Sequence, residues 1–319
     1  MADKLKKYDV VSVGGATVDI LFYSKEGELI STGNIAKQKL LAFEYGDKIL
    51  AERIFYAYGG GAANSAVTFS RLGLKTAPIF RLGADDNGRK VLANLRDNKV
   101  DASWVKTDAK ASTAFSVVIT VDNEAKEHIA FIHRGANALL SADDLPLGKI
   151  EAKWFYVTSL PKFGWEDIMA KLAKTKKNIV WNPGKEQIGQ MAKLKKHLPG
   201  IKMFMVNRDE ALEFKKLKDI KGLLRHIKDL GPELVVITDG KNGAYAFDGK
   251  KYYFMRALST KAVNTLGVGD AFGSALTAAL VYGKNIRQAL AWGMKNSAAV
   301  VCQIGAQKGI LTKKQINKK

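Results

Sequence analysis

Near the C-terminus the sequence reads "NTLGVGDAFGSALTAAL", with Asp270 set among glycines ahead of a run of small apolar residues. Aspartate is a favoured helix cap, and that alone could explain it. The glycines ask for more. At a helix start, the amides of Gly267, Val268, Gly269 and Asp270 form a concave row of N–H donors suited to an anion such as a phosphoryl group. A carboxylate beside such a row repels the ligand if binding is its only task. It makes sense as a base that takes a proton from a hydroxyl attacking the anion, while the amides stabilise charge on the transferred group.

Three further constellations follow apolar runs. "GGATVD", Gly14 to Asp19, is a glycine-rich strand exit that ends in a carboxylate. "YGGGAANSAVTFSRLG" sets Gly59, Gly60 and Gly61 before a helix that carries polar Asn64 in its first turn. Glycines there let backbone amides approach a ligand. "VNRDEA" places Asn207 and Glu210 three residues apart on one helical face. That pair suits either a cap or a hydrated magnesium ion, which takes oxygen ligands largely through water.

The elements that must position these residues read as α/β. "YDVVSVGG", "WFYVTS", "NIVWN", "MFMVN" and "LVVIT" are short, nearly continuous apolar runs alternating with helical segments such as "WEDIMAKLAKTKK". This predicts a doubly wound, mostly parallel sheet covered on both faces. Residues about 20–57 and 111–135 lack good helices; the second reads as a hairpin, "FSVVITV" and "HIAFIH" around a polar "DNEAKE" turn. Both segments are expected to form a small β-sheet lid inserted in one domain spanning 1–319. Ligands of such folds bind at the carboxyl ends of the parallel strands, where the motifs cluster.

Composition narrows the class. With 51 basic and 31 acidic residues the net charge is +20, yet the lysines interleave with apolar positions as on solvated helix faces, so no specific nucleic-acid partner is expected. Cys302 is the only cysteine and the four histidines form no HExxH pair, which excludes an intrachain disulfide and any cysteine-based metal site and speaks against a histidine-bound metal. No apolar run approaches a membrane span and no signal-like leader precedes the first strand, so the expectation is a cytoplasmic protein.

Taken in order, these motifs resemble the ribokinase-like, phosphofructokinase-B family of carbohydrate and nucleoside kinases. "GGGAANSAVTFSRLG" and "NTLGVGDAF" are similar to its two signatures; "GADDNG", "GAN", "TDGKNGA" and a closing "IGA" fall in the family's order. The resemblance implies transfer of the γ-phosphoryl of MgATP to a hydroxymethyl group of a sugar or sugar-like molecule, or of a nucleoside. It implies Asp270 as base and Gly267, Val268 and Gly269 in the anion hole. Thr17, Asp19, Gly60, Gly61, Asn64 and Asn137 would hold the acceptor, and Arg134 would meet an acidic or phosphorylated one. Asn207, Thr238, Gly240, Gly243, Gly267 and Gly269 would line the nucleotide site, with Glu210 reaching magnesium through water. The lid implies a monomer or a lid-mediated homodimer. Two departures stand out. Asn264 replaces the aspartate that helps bind a monovalent cation in cation-activated members, which argues against that cofactor. Asn182 stands where many members carry aspartate.

Overall fold

A computed structural model describes residues 5–31, 39–121 and 129–318. The chain opens with β1 (Lys6–Val13), β2 (Thr17–Ser24), β3 (Glu28–Ser31), β4 (Lys39–Ala42) and β5 (Arg53–Gly59), then α1 (Gly61–Arg71). Next come β6 (Thr76–Ile79), β7 (Arg81–Gly83), α2 (Asp86–Asp97), β8 (Lys106–Asp108), β9 (Phe115–Val121) and β10 (Ile129–His133). From β11 (Ile150–Val157) strands and helices alternate: α3 (Trp165–Ala173), β12 (Asn178–Trp181), α4 (Lys185–Ile188), α5 (Met191–Lys196), β13 (Met203–Asn207), α6 (Arg208–Phe214), α7 (Ile220–Lys228) and β14 (Leu234–Thr238). The strands β15 (Ala244–Phe247) and β16 (Tyr252–Met255) precede α8 (Val268–Val281), α9 (Ile286–Val301) and α10 (Lys313–Ile316).

Eight strands form the main sheet in the order β16-β15-β14-β13-β12-β11-β1-β6. All neighbours from β14 to β6 are parallel, and β15 and β16 are antiparallel. The apolar runs are continuous because both faces are buried. In β14, Val235 and Ile237 join the core under α3 and α7, while Val236 faces α8 and α9. The chain leaves β1 toward β6 on one side and returns at β11 on the other, so the crevice between the ends of β1 and β11 is the topological switch point.

α8 lies close to the sheet because its inner residues are small: Ala271, Ser274, Ala275, Ala278 and Ala279 are all buried. At Gly273 a Cβ would come within 2.4 Å of the Tyr156 hydroxyl. The helix that follows the glycine run, α1, ends with Gly73 beyond its last turn at φ +83°.

The lid is a second sheet of four strands in the order β10-β9-β2-β5. It starts at Thr17, three residues earlier than the boundary drawn from the sequence, so Thr17 and Asp19 are lid residues. The hairpin pairs β9 with β10 antiparallel; its "DNEAKE" turn and residues 32–38 of the first lid segment lie outside the described residues. Among the described residues β3 and β4 pair only with each other. Among the described residues no helix is long and apolar enough to cross a membrane.

Candidate active site

Gly267 caps α8 at φ +69°, and a Cβ there would fall 2.3 Å from Ala306 Cβ, so the turn into the helix requires glycine. The first helical bond closes between the Ala271 N–H and Gly267 O at 2.8 Å, and ahead of it the Val268 N–H bonds to Thr265 O at 3.5 Å, so the Gly269 and Asp270 amides are the ones the helix end leaves for a ligand. A Cβ at Gly269 would meet no protein atom within 4 Å. The space beside its Cα is open.

Asp270 sits in the first turn of α8, partly exposed. Its Oδ2 accepts a hydrogen bond from Asn64 Nδ2 at 2.8 Å. Burial raises its pKa; the Asn64 bond opposes this, and the charge of Asp19 adds to the rise. Asp19 is itself buried on β2, with Oδ1 accepting from Ser116 Oγ at 2.6 Å and Thr17 Oγ1 at 3.0 Å. Burial pushes its carboxyl up, against those two hydroxyl bonds.

The glycine run has a steric reason that its sequence did not disclose. A Cβ at Gly59 would lie 2.1 Å from Asp19 Oδ2, one at Gly60 2.4 Å from Ala16 Cα, and one at Gly61 2.7 Å from Thr158 Cβ. These residues let α1 start against the ends of β1, β2 and β11. Gly60 and Gly61 also line a cavity of about 150 Å³ with Gly14, Gly15, Thr17 and the lid residues Ile132 to Arg134. It lies at the switch point. Arg134 borders it, with Nη2 on Glu186 Oε1 at 3.4 Å. Asn137 shapes its wall, donating from Nδ2 to Ala16 O at 2.8 Å and accepting from Ala16 N–H at 3.3 Å.

A larger cavity of about 580 Å³ lies on the other side of the α8 start, lined by Gly240, Lys241, Thr265 and Val268. Its remaining wall comes from the loop Arg256–Thr260 and from Met294, Ser297 and Ala298 on α9. Sequence reasoning missed that wall; the small Ser297–Ala298 pair within a helix was the one available hint. The Asn64–Asp270 bond joins a helix whose start borders one cavity to a helix whose start borders the other.

Thr238 ends β14. Gly243, at φ +113°, is held by Met255 O, 2.2 Å from where a Cβ would stand. Asn207 and Glu210 form a reciprocal cap on α6: Asn207 Oδ1 accepts from the Glu210 N–H at 2.8 Å, and Glu210 Oε2 accepts from the Asn207 N–H at 2.9 Å. Burial raises the Glu210 pKa against that backbone bond. Capping takes one oxygen of each side chain and leaves Glu210 Oε1 for a water-mediated contact. Among the described residues no group of three or more His, Cys, Asp or Glu side chains could hold a metal ion. This donor set fits magnesium carried by a polyphosphate and its waters.

Asn264 is buried, and its Oδ1 accepts from the Leu266 N–H at 3.0 Å. Asn182 donates to Met205 O at 2.9 Å. Both departures from the family pattern thus serve as neutral braces of the backbone.

A family model described as pfkB family carbohydrate kinase matches residues 27–313. An ATP-dependent 6-phosphofructokinase of Thermoanaerobacterium thermosaccharolyticum is 22% identical over 316 residues, spanning 94% of this chain and 90% of that protein. Ribokinase from Thermotoga maritima has the same fold, with a TM-score of 0.80 at 18% identity over 97% of this chain and 98% of the other. A nucleoside kinase of Methanocaldococcus jannaschii gives 0.76 at 18% identity, covering 99% and 98%. The sheet order, the lid and the switch-point site agree with that match, and the chain belongs to the pfkB family of carbohydrate kinases, as an ATP-dependent phosphotransferase acting on a hydroxyl group of a sugar or nucleoside.

Proposed function

We propose that the protein transfers the γ-phosphoryl group of MgATP to a hydroxymethyl group of a small sugar or sugar-like molecule, with Asp270 as general base. The observation that carries this reading is the Asp270 carboxylate in the first turn of α8, held by Asn64 at a helix start whose first amides lie outside the helical ladder. With Oδ2 on Asn64, Oδ1 takes the proton of the acceptor hydroxyl. The acceptor's hydroxyl oxygen bonds to the γ-phosphorus as the bond to the β–γ bridging oxygen breaks, and ADP leaves. Amides of Gly267 to Asp270 stabilise the charge that builds on the phosphoryl oxygens. Glu210 Oε1 and Asn207 would hold the hydrated shell of magnesium, which would supply neutralisation of the phosphate charge.

The smaller cavity takes the acceptor: Thr17, Gly60 and Gly61 line it, and Asp19 and Asn64, buried beside Thr17 and Gly61, would meet hydroxyls that reach past that lining. Arg134, which borders it, favours an acceptor that carries a carboxylate or phosphate. The larger cavity takes ATP. A coupled ADP-release assay over pentoses, hexoses, sugar acids, sugar phosphates and nucleosides tests this. Turnover confined to nucleosides would transfer the assignment to a nucleoside kinase, and Asp270→Asn with near-normal turnover would remove the base.

The lid supports a homodimer. Register aligns Tyr56, Ile20, Val117 and Phe131 in one cross-strand row, and Ile54, Phe22, Ile119 and Ile129 in the next. Both rows lie on one face. Tyr56 is 71% exposed and Phe131 64%, so this apolar face is suited to cover its equivalent on a second copy.

A further inference from the structure

Asp270 heads a file of side-chain amides. Asn64 Nδ2 donates to Asp270 Oδ2 at 2.8 Å, Gln307 Nε2 donates to Asn64 Oδ1 at 3.0 Å, and Asn94 Nδ2 donates to Gln307 Oε1 at 2.8 Å. Asn98, the residue that caps the end of α2, donates in turn to the Asn94 carbonyl at 2.9 Å. The file crosses from α8 to α1, to the loop after α9, and on to α2.

Its direction is not arbitrary. An ionised carboxylate only accepts, so Asn64 must turn its NH2 group toward Asp270 and its oxygen toward Gln307. Gln307 must then present its own NH2 to Asn64 and its oxygen to Asn94. One charge orients three amides. The dependence also runs backward: with Gln307 held between Asn94 and Asn64, Asn64 has no reason to rotate its oxygen onto Asp270, where two acceptors would face each other. Asn64 is buried, so an unpaired amide oxygen there would be costly.

We propose that Gln307 is a positioning residue, which holds Asn64 in the single amide orientation that offers a donor to Asp270. Gln307 touches neither of the reacting groups; it fixes the base through Asn64. This inference rests on Asp270 being the base. The ionisable groups that face Asp270 are Asp19 from β2 and Tyr156 from β11, and neither bonds to the file.

The test is the pH profile of two substitutions in the full chain, with Asp270→Asn assayed beside them. Gln307→Leu removes the donor and keeps the bulk; Gln307→Glu keeps the acceptor for Asn94 but sets an oxygen against Asn64. Turnover is expected to fall about tenfold in the first and further in the second, as for a slightly misplaced base. The acid limb of kcat/KM should move to higher pH in both, by about half a unit to one unit for Gln307→Leu. The KM for ATP should hold. Asn94→Asp, one link farther out and safer for folding, should move the limb the same way by less. A limb that stays in place in all three while Tm falls would overturn the proposal and leave Gln307 a packing residue. If Asp270→Asn itself retains turnover, the base assignment fails instead, and the two failures are distinguishable.

Discussion

Asn64 and Asp270, 206 residues apart in the chain, are joined side chain to side chain at 2.8 Å. The bond ties the N-terminal turn of α1 to that of α8, the two helices whose starts carry the family signatures. Replacing Asp270 by Asn keeps an acceptor for Asn64 and removes only the proposed base. The expected loss in kcat is about 10³-fold with ATP binding preserved, measured by steady-state kinetics and by calorimetry with a non-hydrolysable ATP analogue.

The pH dependence follows from two carboxylates. Burial and the charge of Asp19 hold the Asp270 pKa above the ordinary aspartate range, despite the Asn64 bond. Asp270 must be ionised to accept a proton, so kcat/KM falls as pH drops through that raised value. In Asp19→Asn the neighbouring negative charge is gone and the acid limb should move to lower pH. A limb that does not respond would mean that another group titrates.

Two glycines two residues apart should behave oppositely. Gly267→Ala meets both a positive φ and Ala306 Cβ, and should cost about 2 kcal/mol or more of stability in urea unfolding. Gly269→Ala meets nothing in the protein, so stability should be unchanged while nucleotide affinity or turnover falls. Equal effects on stability would contradict the assignment of that open space to the phosphoryl group.

Asn264 predicts independence from monovalent cations, because a neutral amide committed to the Leu266 N–H replaces a carboxylate. Exchanging potassium for tetramethylammonium should leave kcat unchanged. Several-fold activation by potassium would show that the loop binds a cation without that carboxylate.

The apolar lid face predicts the assembly. Sedimentation should show a dimer in the unmodified protein and a monomer in Tyr56→Lys with Phe131→Lys, since two buried charges would replace two aromatic contacts. A monomer at all concentrations in the unmodified chain would refute the lid contact.

Much of this was legible in the sequence because the signals are local. Continuous apolar runs declared buried strands, and glycines beside Asp270 declared a helix start with room in front of it. What the sequence hid depends on pairing across the chain. Nothing near Gln307 announces Asn64, 243 residues away. The Gly59–Gly61 run looked like a ligand cradle, and it also clears Asp19, Ala16 and Thr158. "GADDNG" matched a family motif without a stated task. In the fold, Asp85 accepts from the Gly88 N–H at 2.8 Å, from the Thr113 N–H at 2.7 Å and from Thr113 Oγ1 at 2.6 Å, so it pins α2 to the segment leading into the lid.

The distance along the chain between the pieces of the site has a consequence for biosynthesis. The acceptor side, up to Asn64, leaves the ribosome early, while Asp270, α9 and Gln307 emerge last. Until α8 and α9 arrive, α1 covers this face of the sheet only beside β1, and the part with Val180, Met203 and Val236 lacks their cover. A nascent chain halted before α8 therefore carries the proposed acceptor pocket without its proposed base and a partly bare apolar sheet face, which makes it a client for chaperones or proteases and never a slow enzyme.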